Sequence, residues 1–332
     1  MFLTYAVPIF MLGIGLVIII KGGDFFVDAA SWIAEISGMP RLIVGATVVS
    51  FATTLPELLT SALAAAQAHA ESNPSLVDMA IGNAIGSVSC NLGLILGISL
   101  VCIPTVIKRR DYALKMALMI GASVTIVLFG YIFNGIGVVS SIILLAIFAV
   151  AMWDNIKGAV EGIRESKSEH TQASKPTKKT VIINIIKFIV GAAGIIVGAN
   201  LLVNYGQELA KLFGVNDRII SVTIIAVGTS LPELVTTITA IVKKQASMSA
   251  GNIIGANIID LTLILPVCAL IYGGTLPVTP TVATIDLPAC LIIGAIAVVP
   301  TIITKKFARW QGFALLAEYA VYMLFTVFIF AA

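Results

Sequence analysis

The fold is decided by two near-copies of one stretch, TTLPEL at residues 53–58 and TSLPEL at residues 229–234. Each copy places a glutamate and a proline in the middle of an apolar run that is long enough to cross a membrane. An ionisable side chain inside a membrane span is costly, and it predicts a functional site. The matching context of the two copies therefore predicts a functional role for both carboxylates.

The composition is that of an integral membrane protein. Of the 332 residues, 59% are hydrophobic and only 11% are charged, whereas a soluble domain carries about 25% charged residues. The apolar runs are about 20 residues long, which is typical of membrane-spanning helices and not of alternating barrel strands. We predict an all-α protein with ten spans, near residues 4–33, 42–66, 78–103, 112–132, 137–157, 181–212, 219–242, 248–272, 282–303 and 310–330.

The distribution of Lys and Arg predicts the orientation, because cytoplasmic loops carry an excess of both residue types. With the N-terminus outside, 17 of the 20 Lys and Arg residues fall in or beside cytoplasmic loops. We therefore expect a multi-pass protein of the plasma membrane, with both termini outside and a cytoplasmic segment at 158–180. That segment is rich in Lys, Glu, Ser and Thr, which predicts a mobile charged linker.

The chain contains an internal repeat. At an offset of 176 residues the segment 38–60 matches 214–236, and at an offset of 169 residues the segment 82–86 matches 251–255. Each half holds five predicted spans, and because five is odd, the second half must enter the membrane from the opposite side. We expect two inverted five-helix repeats, at 1–157 and 181–332, as in secondary transporters whose site lies near the bilayer midplane.

The residues around the two glutamates supply oxygen atoms. Thr53 and Glu57 are four residues apart and share a helix face, as do Thr229 and Glu233. Hydroxyl and carboxylate oxygens form a hard ligand set that suits Ca²⁺, Mg²⁺ or alkali cations. The spacing from Thr54 to Glu57, which the second copy repeats with serine in place of threonine, is that of a capping box. It predicts a half-helix that begins inside each span.

A polar stripe lies in the next span of each half. Its members recur every four residues, as Asn83, Ser87 and Asn91 in the first half and as Asn252, Ala256 and Asp260 in the second. Beside each stripe a G-x-x-x-G pair predicts close approach of a neighbouring helix backbone. The first asparagine of each stripe has an alternative interpretation, in which it only holds together backbone that proline has broken.

Other charged and sulfur-bearing residues receive structural interpretations. The four cysteines form no C-x-x-C pair and lie in or beside apolar runs, so we expect packing rather than disulfides or a metal site. Three charged residues of the first span, Lys21, Asp24 and Asp28, have the uncharged counterparts Val197, Asn200 and Asn204 in the second half. We expect an interfacial or locally paired set of charges in the first span.

The chain resembles the sodium/calcium exchangers of the cation/calcium exchanger superfamily in four motifs that match that family's two alpha repeats. The motifs are GATVVSFATTLPELLTS (45–61), GNAIGSVSCNLGLILG (82–97), VGTSLPELVTT (227–237) and GNIIGANIIDLTLILP (251–266). The resemblance implies an antiporter, not an enzyme, that exchanges Na⁺ for Ca²⁺ by alternating access and holds no cofactor tightly. Its implied partners are membrane lipid and the transported cations, with no nucleic acid.

The resemblance also implies a set of cation ligands. Glu57 and Glu233 would be the central carboxylates. The remaining implied ligands are the hydroxyls of Thr53, Thr54, Thr229 and Ser230, the carbonyls of Ser50 and Ala226, and the side chains of Ser87, Asn91 and Asp260.

Departures from the family pattern leave the counter-ion open. The usual Gly-Thr-Ser is Ala-Thr-Thr at 52–54, and Ala256 lacks a hydroxyl that is often present at its position. Asp260, followed by Leu-Thr-Leu, resembles the potassium-dependent branch. The alternatives are a potassium-dependent or a proton/calcium exchanger of the same fold, with a cation channel ranked below them. An intramembrane carboxylate protease has no predicted nucleophile, and the sequence leaves the oligomeric state open.

Overall fold

The computed structural model describes residues 2–72, 74–102, 109–169, 176–214, 226–280, 282–304 and 306–331. The described residues are helical apart from short connections and one pair of two-residue strands. These strands, Gly135–Ile136 and Leu276–Pro277, pair antiparallel and join two loops that lie in opposite halves of the chain. The predicted all-α class is therefore confirmed, with this small ribbon as the one addition among the described residues.

The first half of the chain forms seven α-helices, two of which continue from π-helical turns. The α-helices are α1 (Phe2–Ser37), α2 (Arg41–Val44), α3 (Ser50–Glu71), α4 (Pro74–Cys90), α5 (Gly97–Cys102), α6 (Arg109–Ile132) and α7 (Val138–Glu169). The π-helical turn Gly45–Val49 joins α2 to α3, and Asn91–Leu96 joins α4 to α5. The runs 41–71 and 74–102 are thus continuous helical segments.

The second half follows a similar order within its described residues. Its α-helices are α8 (Lys178–Leu212), α9 (Ala226–Thr229), α10 (Leu231–Val242), α11 (Ala246–Ile259), α12 (Leu265–Tyr272), α13 (Leu287–Thr304) and α14 (Arg309–Ala331). The π-helical turn Asp260–Ile264 joins α11 to α12, and Val282–Asp286 precedes α13.

Eight helical runs among the described residues are long and apolar enough to cross a membrane. They coincide with eight of the ten predicted spans. The seventh predicted span, 219–242, begins in residues outside the described ranges, and its last part is the short apolar helix α10. The tenth corresponds to α14, a helix of 23 residues that is not among the eight. A helical membrane protein is confirmed, and the number of ten spans stays a prediction.

The helices that carry the polar stripes form the centre of the molecule. Within the most apolar 18-residue stretch of the α11–α12 run, 83% of the residues are buried, and within that of the α4–α5 run, 72% are buried. The corresponding values for α1 and α8 are 28% and 17%, so these two long helices lie at the periphery. A polar stripe at the centre of a helical membrane protein is shielded from lipid by the helices around it.

The peripheral helices α1 and α8 pack against each other along a seam of glycines. A Cβ atom at Gly22 would lie 2.7 Å from the backbone nitrogen of Ile195, and one at Gly191 would lie 2.6 Å from that of Phe26. Side chains do not approach backbone so closely, so the two backbones meet where a side chain is missing.

Glycine also sets the central contact between the two halves. A Cβ atom at Gly255 would lie 2.7 Å from the Cα of Ala46, and one at Gly251 would overlap the carbonyl oxygen of Leu42. The predicted close approach is therefore confirmed for the second-half glycine pair. For the first-half pair, no described residue comes within 4 Å of an added Cβ. The repeat pairs that motif with residues outside the described ranges, so its contact stays a prediction.

The two prolines act differently. Helix α10 begins at Leu231, directly after Ser230, whose φ of −89° and ψ of 7° depart from helical values, and Pro232 lies in its first turn. The predicted half-helix is confirmed there, but the capping box is wrong, because the Ser230 side chain makes no capping hydrogen bond. In the first half the half-helix is wrong, since α3 runs from Ser50 to Glu71 through Pro56. The π-helical turn Gly45–Val49 precedes α3 without an interruption of the helical run.

The charged segment 158–180 is less irregular than predicted. Helix α7 continues through Glu169, well into the predicted linker, and α8 begins at Lys178. The ion pair between Lys157 and Glu161 at 3.9 Å, one helical turn apart, is one reason that the helix extends. A mobile spacer is therefore wrong for residues 158–169.

Replacing Gly255 by alanine is expected to lower the melting temperature of the purified protein in detergent. The added methyl group must displace the backbone of α2–α3, and overpacking of this kind costs roughly 1–3 kcal/mol. The matched control is Gly121→Ala in α6, where a Cβ would meet only the Cδ1 of Ile147 at 4.0 Å. Equal melting temperatures for the two variants would contradict the close approach at Gly255.

Candidate cation-binding site

One face of α3 is a continuous polar surface within the protein. Ser50, Thr53, Thr54, Glu57 and Ser61 are all buried, although none of them is apolar. They recur at helical spacing, so their side chains share one side of the helix. The face points at the other half of the chain and not at lipid.

A second polar surface comes from α10 and the residue before it. Ser230, Glu233, Thr236 and Thr237 are each at most 2% exposed. The break at Ser230 places Glu233 in the first turn of α10, where the backbone N–H groups of a helix favour negative charge. The second carboxylate is therefore held at a helix start, whereas the first lies inside a continuous helix.

The two central helices complete the cluster, and each widens at the same position of the repeat. Asn91 is the first residue of the π-helical turn Asn91–Leu96, and Asp260 is the first residue of the turn Asp260–Ile264. The offset of 169 residues relates these two positions. Turns of this kind are rare and occur often at functional sites. Each wide turn starts at a residue of the predicted ligand set.

Hydrogen bonds join the two halves at this cluster. The hydroxyl of Thr54 donates to Oε1 of Glu233 at 3.2 Å, and the amide of Asn91 donates to Oδ2 of Asp260 at 3.5 Å. The hydroxyl of Thr53 lies 3.3 Å from Oδ1 of Asn252. Each contact links a first-half residue to a second-half residue, so the two repeated motifs meet in space.

Seven buried oxygen atoms of the predicted ligands have no hydrogen-bond partner among the described residues. They are Glu57 Oε1 and Oε2, Ser87 Oγ, Asn91 Oδ1, Ser230 Oγ, Glu233 Oε2 and Asp260 Oδ1. Buried polar atoms are nearly always hydrogen-bonded, and an unpaired one costs about 1–3 kcal/mol. A concentration of unpaired acceptors in one place is the arrangement that a cation site requires.

Negative charge is also concentrated in the cluster. The side chains of Glu57, Glu233 and Asp260 are each at most 1% exposed. Across the described ranges, however, no three Asp, Glu, His or Cys side chains group closely enough to hold a metal ion by themselves.

The asparagines that begin the two stripes have structural partners. Asn83 donates to Oγ of Ser61 at 2.9 Å and to the carbonyl oxygen of Glu57 at 3.2 Å. Asn252 donates to Oγ1 of Thr236 at 3.1 Å. Asn83 thus ties α4 to the helix turn that carries Glu57, but the backbone that it binds is not broken by proline, because α3 continues through Pro56.

The remaining predicted ligands are placed less completely. Ser50 is buried, and its carbonyl oxygen lies 3.3 Å from the hydroxyl of Thr53. Thr229 is half-buried at the end of α9, which begins at Ala226. The structure describes the backbone of Ala226 but not the surroundings of its side chain.

Two positions that depart from the family pattern lie inside the cluster. Thr54 uses its hydroxyl to bind Glu233, so the threonine found in place of serine keeps a polar role. Ala256 is fully buried and adds no oxygen. The second-half stripe therefore lacks the hydroxyl that Ser87 provides in the first, and it carries a carboxylate at Asp260 where the first carries the amide of Asn91.

Sequence reasoning missed several buried polar residues around the cluster. Ser61 and Thr237 extend the glutamate faces by one turn, and counting four residues on from each glutamate finds both of them. Asn257 has no partner for either side-chain polar atom among the described residues, and no spacing rule indicates it. Asn155 donates to the carbonyl of Ala46 at 3.4 Å from a different helix, which only the fold reveals.

Comparison with a family of known proteins matches most of the chain. A profile described as "Sodium/calcium exchanger protein" matches residues 7–156 and 183–328. The two matched regions leave out little more than the charged segment between the predicted repeats. They include every residue of the predicted ligand set.

Individual relatives extend this match. An uncharacterised membrane protein of Methanocaldococcus jannaschii is 31% identical, over 93% of this chain and 94% of its own length. The sodium/calcium exchanger MaX1 of Methanosarcina acetivorans is 27% identical, over 95% and 97%. Sodium/potassium/calcium exchanger 2 of Gallus gallus is 28% identical over 38% of this chain and 20% of its own.

A solved structure has the same fold. The sodium-calcium exchanger NCX_Mj, soaked with Na⁺ and Sr²⁺, superposes with a TM-score of 0.78 at 28% identity. The superposition covers 96% of this chain and 98% of that one.

Replacing Asn83 by alanine is expected to lower the melting temperature, because it leaves Ser61 and the Glu57 carbonyl without their donor. Loss of such a donor costs about 1–3 kcal/mol when the acceptors are buried. Asn184→Ala is the matched control, since this half-buried asparagine donates only to Thr180 within its own helix. Differential scanning fluorimetry in detergent measures both variants. A smaller loss for Asn83→Ala than for the control would be inconsistent with the tie between α3 and α4.

Proposed function

The chain belongs to the sodium/calcium exchanger family, and from that premise we propose that it exchanges Na⁺ for Ca²⁺ at the cluster around Glu57 and Glu233. Ion transport and antiport are properties of the family. The location of the ions and the route they take are our proposal.

The observation that carries the proposal is the set of seven unpaired buried oxygens. Ca²⁺ takes six to eight oxygen ligands, and Na⁺ in transporters is held by backbone and side-chain oxygens. The unpaired atoms come from both halves of the chain and include three carboxylates. Cations in this place would satisfy the oxygens and offset the repulsion among the carboxylates.

We propose the same ligand set that the sequence predicts. The carboxylates of Glu57 and Glu233 are central, and hydroxyl, carbonyl and amide oxygens surround them. The other members are Ser50, Thr53, Thr54, Ser87, Asn91, Ala226, Thr229, Ser230 and Asp260. Because one Ca²⁺ carries the charge of two Na⁺, the same oxygens can hold either ion in turn, and the two compete for shared ligands.

The proposed mechanism is alternating access around a fixed site near the bilayer midplane. The long peripheral helices α1 and α8 contact each other along their glycine seam, and we propose that they move together past the central helices. We also propose ten spans in two inverted repeats, at 1–157 and 181–332, with both termini outside and 158–180 cytoplasmic.

The potassium-dependent exchanger is the second candidate, and Asp260 is the observation that favours it. Asp260 is fully buried, and one of its carboxylate oxygens has no hydrogen-bond partner among the described residues. Ala256, one turn earlier on the same stripe, contributes no side-chain oxygen. An additional carboxylate oxygen beside a missing hydroxyl alters both the charge and the size of the site. A third candidate, exchange against protons, uses the same carboxylates.

The discriminating experiment uses purified protein in lipid vesicles loaded separately with Na⁺, with Na⁺ and K⁺, or with a proton gradient alone. Entry of radioactive Ca²⁺ is followed in each case. We expect uptake into Na⁺-loaded vesicles without K⁺. Uptake that requires K⁺ selects the potassium-dependent reading, and uptake driven by protons without Na⁺ selects proton exchange.

Glu57→Gln and Glu233→Gln are each expected to abolish Na⁺-driven Ca²⁺ uptake. Each change removes a negative charge and replaces one acceptor oxygen by the NH₂ of an amide, which can only donate and so cannot bind a cation. Glu35→Gln serves as the control, because Glu35 is exposed and pairs with Arg41 at 3.5 Å. Uptake near the wild-type rate in either site variant, at equal protein in the vesicles, would refute the site.

A further inference from the structure

A charged contact joins peripheral helix α1 to α10, the helix that carries Glu233. Nζ of Lys243 lies 2.7 Å from Oδ1 of Asp28 and 3.3 Å from Oδ1 of Asp24, and it donates to the Asp24 carbonyl oxygen at 3.0 Å. Lys243 directly follows the last residue of α10. One ammonium group therefore ties two turns of α1 to the end of α10. The two aspartates predicted to be interfacial or locally paired thus have their partner in the other half of the chain.

The helices also pack tightly beside this contact. A Cβ at Gly23 would lie 2.9 Å from Cγ1 of Val235 and from Oγ1 of Thr239. On this side of the molecule α1 therefore packs directly against α10, and Asp24, Asp28 and Lys243 lie at the end of this helix–helix contact.

The internal repeat shows what stands at the equivalent place in the other half. An offset of 176 residues relates Lys243 to Gln67, Asp24 to Asn200 and Asp28 to Asn204. All three charged groups have neutral amides as their counterparts, and all three amides are exposed. No ion pair can form there, whichever way α8 moves.

The packing differs between the two sides in the same sense. The counterparts of Val235 and Thr239 are Leu59 and Leu63, which are 58% and 62% exposed. Val235 and Thr239 themselves are half-buried under α1. The structure is thus closed where the charges are and open at the neutral counterpart.

We propose that Asp24, Asp28 and Lys243 form a one-sided ionic latch that favours the conformation closed at the Lys243 side. The proposal rests on the proposed alternating-access function and adds a bias between its two states. The Lys and Arg distribution predicts that the Lys243 side is cytoplasmic. A bond present in only one of two conformations shifts their populations by its own free energy.

The expected bias is modest. The side chains of Lys243, Asp24 and Asp28 are 23%, 40% and 54% exposed, so water and salt screen the contact. A few-fold change in the population ratio is the corresponding effect. The half-saturating Ca²⁺ concentration measured from one side scales inversely with the fraction of protein open to that side, so the bias is measurable as a difference between the two sides.

The test compares Ca²⁺ uptake in inside-out and right-side-out vesicles. Lys243→Gln and the double variant Asp24→Asn with Asp28→Asn install the residues that the other half already uses. Each is expected to lower the half-saturating Ca²⁺ concentration at the Lys243 side several-fold and to raise it at the opposite side. The charge-reversed pair Lys243→Asp with Asp28→Lys is expected to restore much of the wild-type ratio. An unchanged ratio in both neutral variants would overturn the latch.

A second measurement does not depend on transport. Spin labels at exposed positions Ile20 on α1 and Val242 on α10 report the separation of the two helices, after Cys102, the exposed cysteine among the described residues, is replaced by serine. Lys243→Gln is expected to add a longer-distance population that rising salt also produces in the otherwise unaltered chain. A distance distribution that is the same in Lys243→Gln as in the otherwise unaltered chain at low salt would overturn the latch. If the unaltered chain carries no Ca²⁺, the proposed function fails while this measurement still decides the contact.

Discussion

The cost of placing oxygen atoms inside a membrane protein without hydrogen-bond partners is the constraint on which the rest of the structure depends. A carboxylate in this environment is expensive unless it is paired or solvated by other groups. Within the described part of the chain, the carboxylates of Glu57, Glu233 and Asp260 each keep at least one oxygen without a hydrogen-bond partner. A hydroxyl and an amide, from Thr54 and Asn91, contact two of them. The surrounding helices are arranged so that this cost falls in one place, shared by the two halves of the chain.

Small residues make that arrangement possible. Gly251 and Gly255 let α11 approach α2 and α3 until the backbones touch, which brings Asn252 within reach of Thr53. The asparagines then fix the local geometry, with Asn83 bound to the backbone of Glu57. The seam between α1 and α8 follows the same principle at the periphery, where glycines replace interlocking side chains. Close backbone contact thus positions the oxygens, and hydrogen bonds orient them.

Much of the candidate site can be predicted from the sequence because its motif occurs twice in the chain. The pairing of Glu57 with Glu233, and the burial of the polar stripes, follow from repetition in an apolar context. The effect of proline cannot be predicted in this way, since Pro56 lies inside a continuous helix whereas Pro232 lies in the first turn of one. The two prolines stand in nearly identical local sequences, so the local sequence does not distinguish the two cases. Helix α7 extends further than its composition predicts for a different reason: a charged stretch is typical of a mobile linker, but Lys157 and Glu161 lie one helical turn apart and support a helix.

The π-helical turns that begin at Asn91 and Asp260 change which face of the two central helical runs the later residues occupy. Each inserts about one extra residue into a turn, and one residue corresponds to roughly 100° of rotation about a helix axis. The stripe that ends at Asn91 therefore does not continue along the same azimuth in α5, where Gly97 instead lies against Leu316 of α14. A helical wheel drawn with α-helical periodicity across either turn therefore assigns the later residues to the wrong side. The α4–α5 run is thereby polar toward the candidate site over one part of its length and apolar toward α14 over the other.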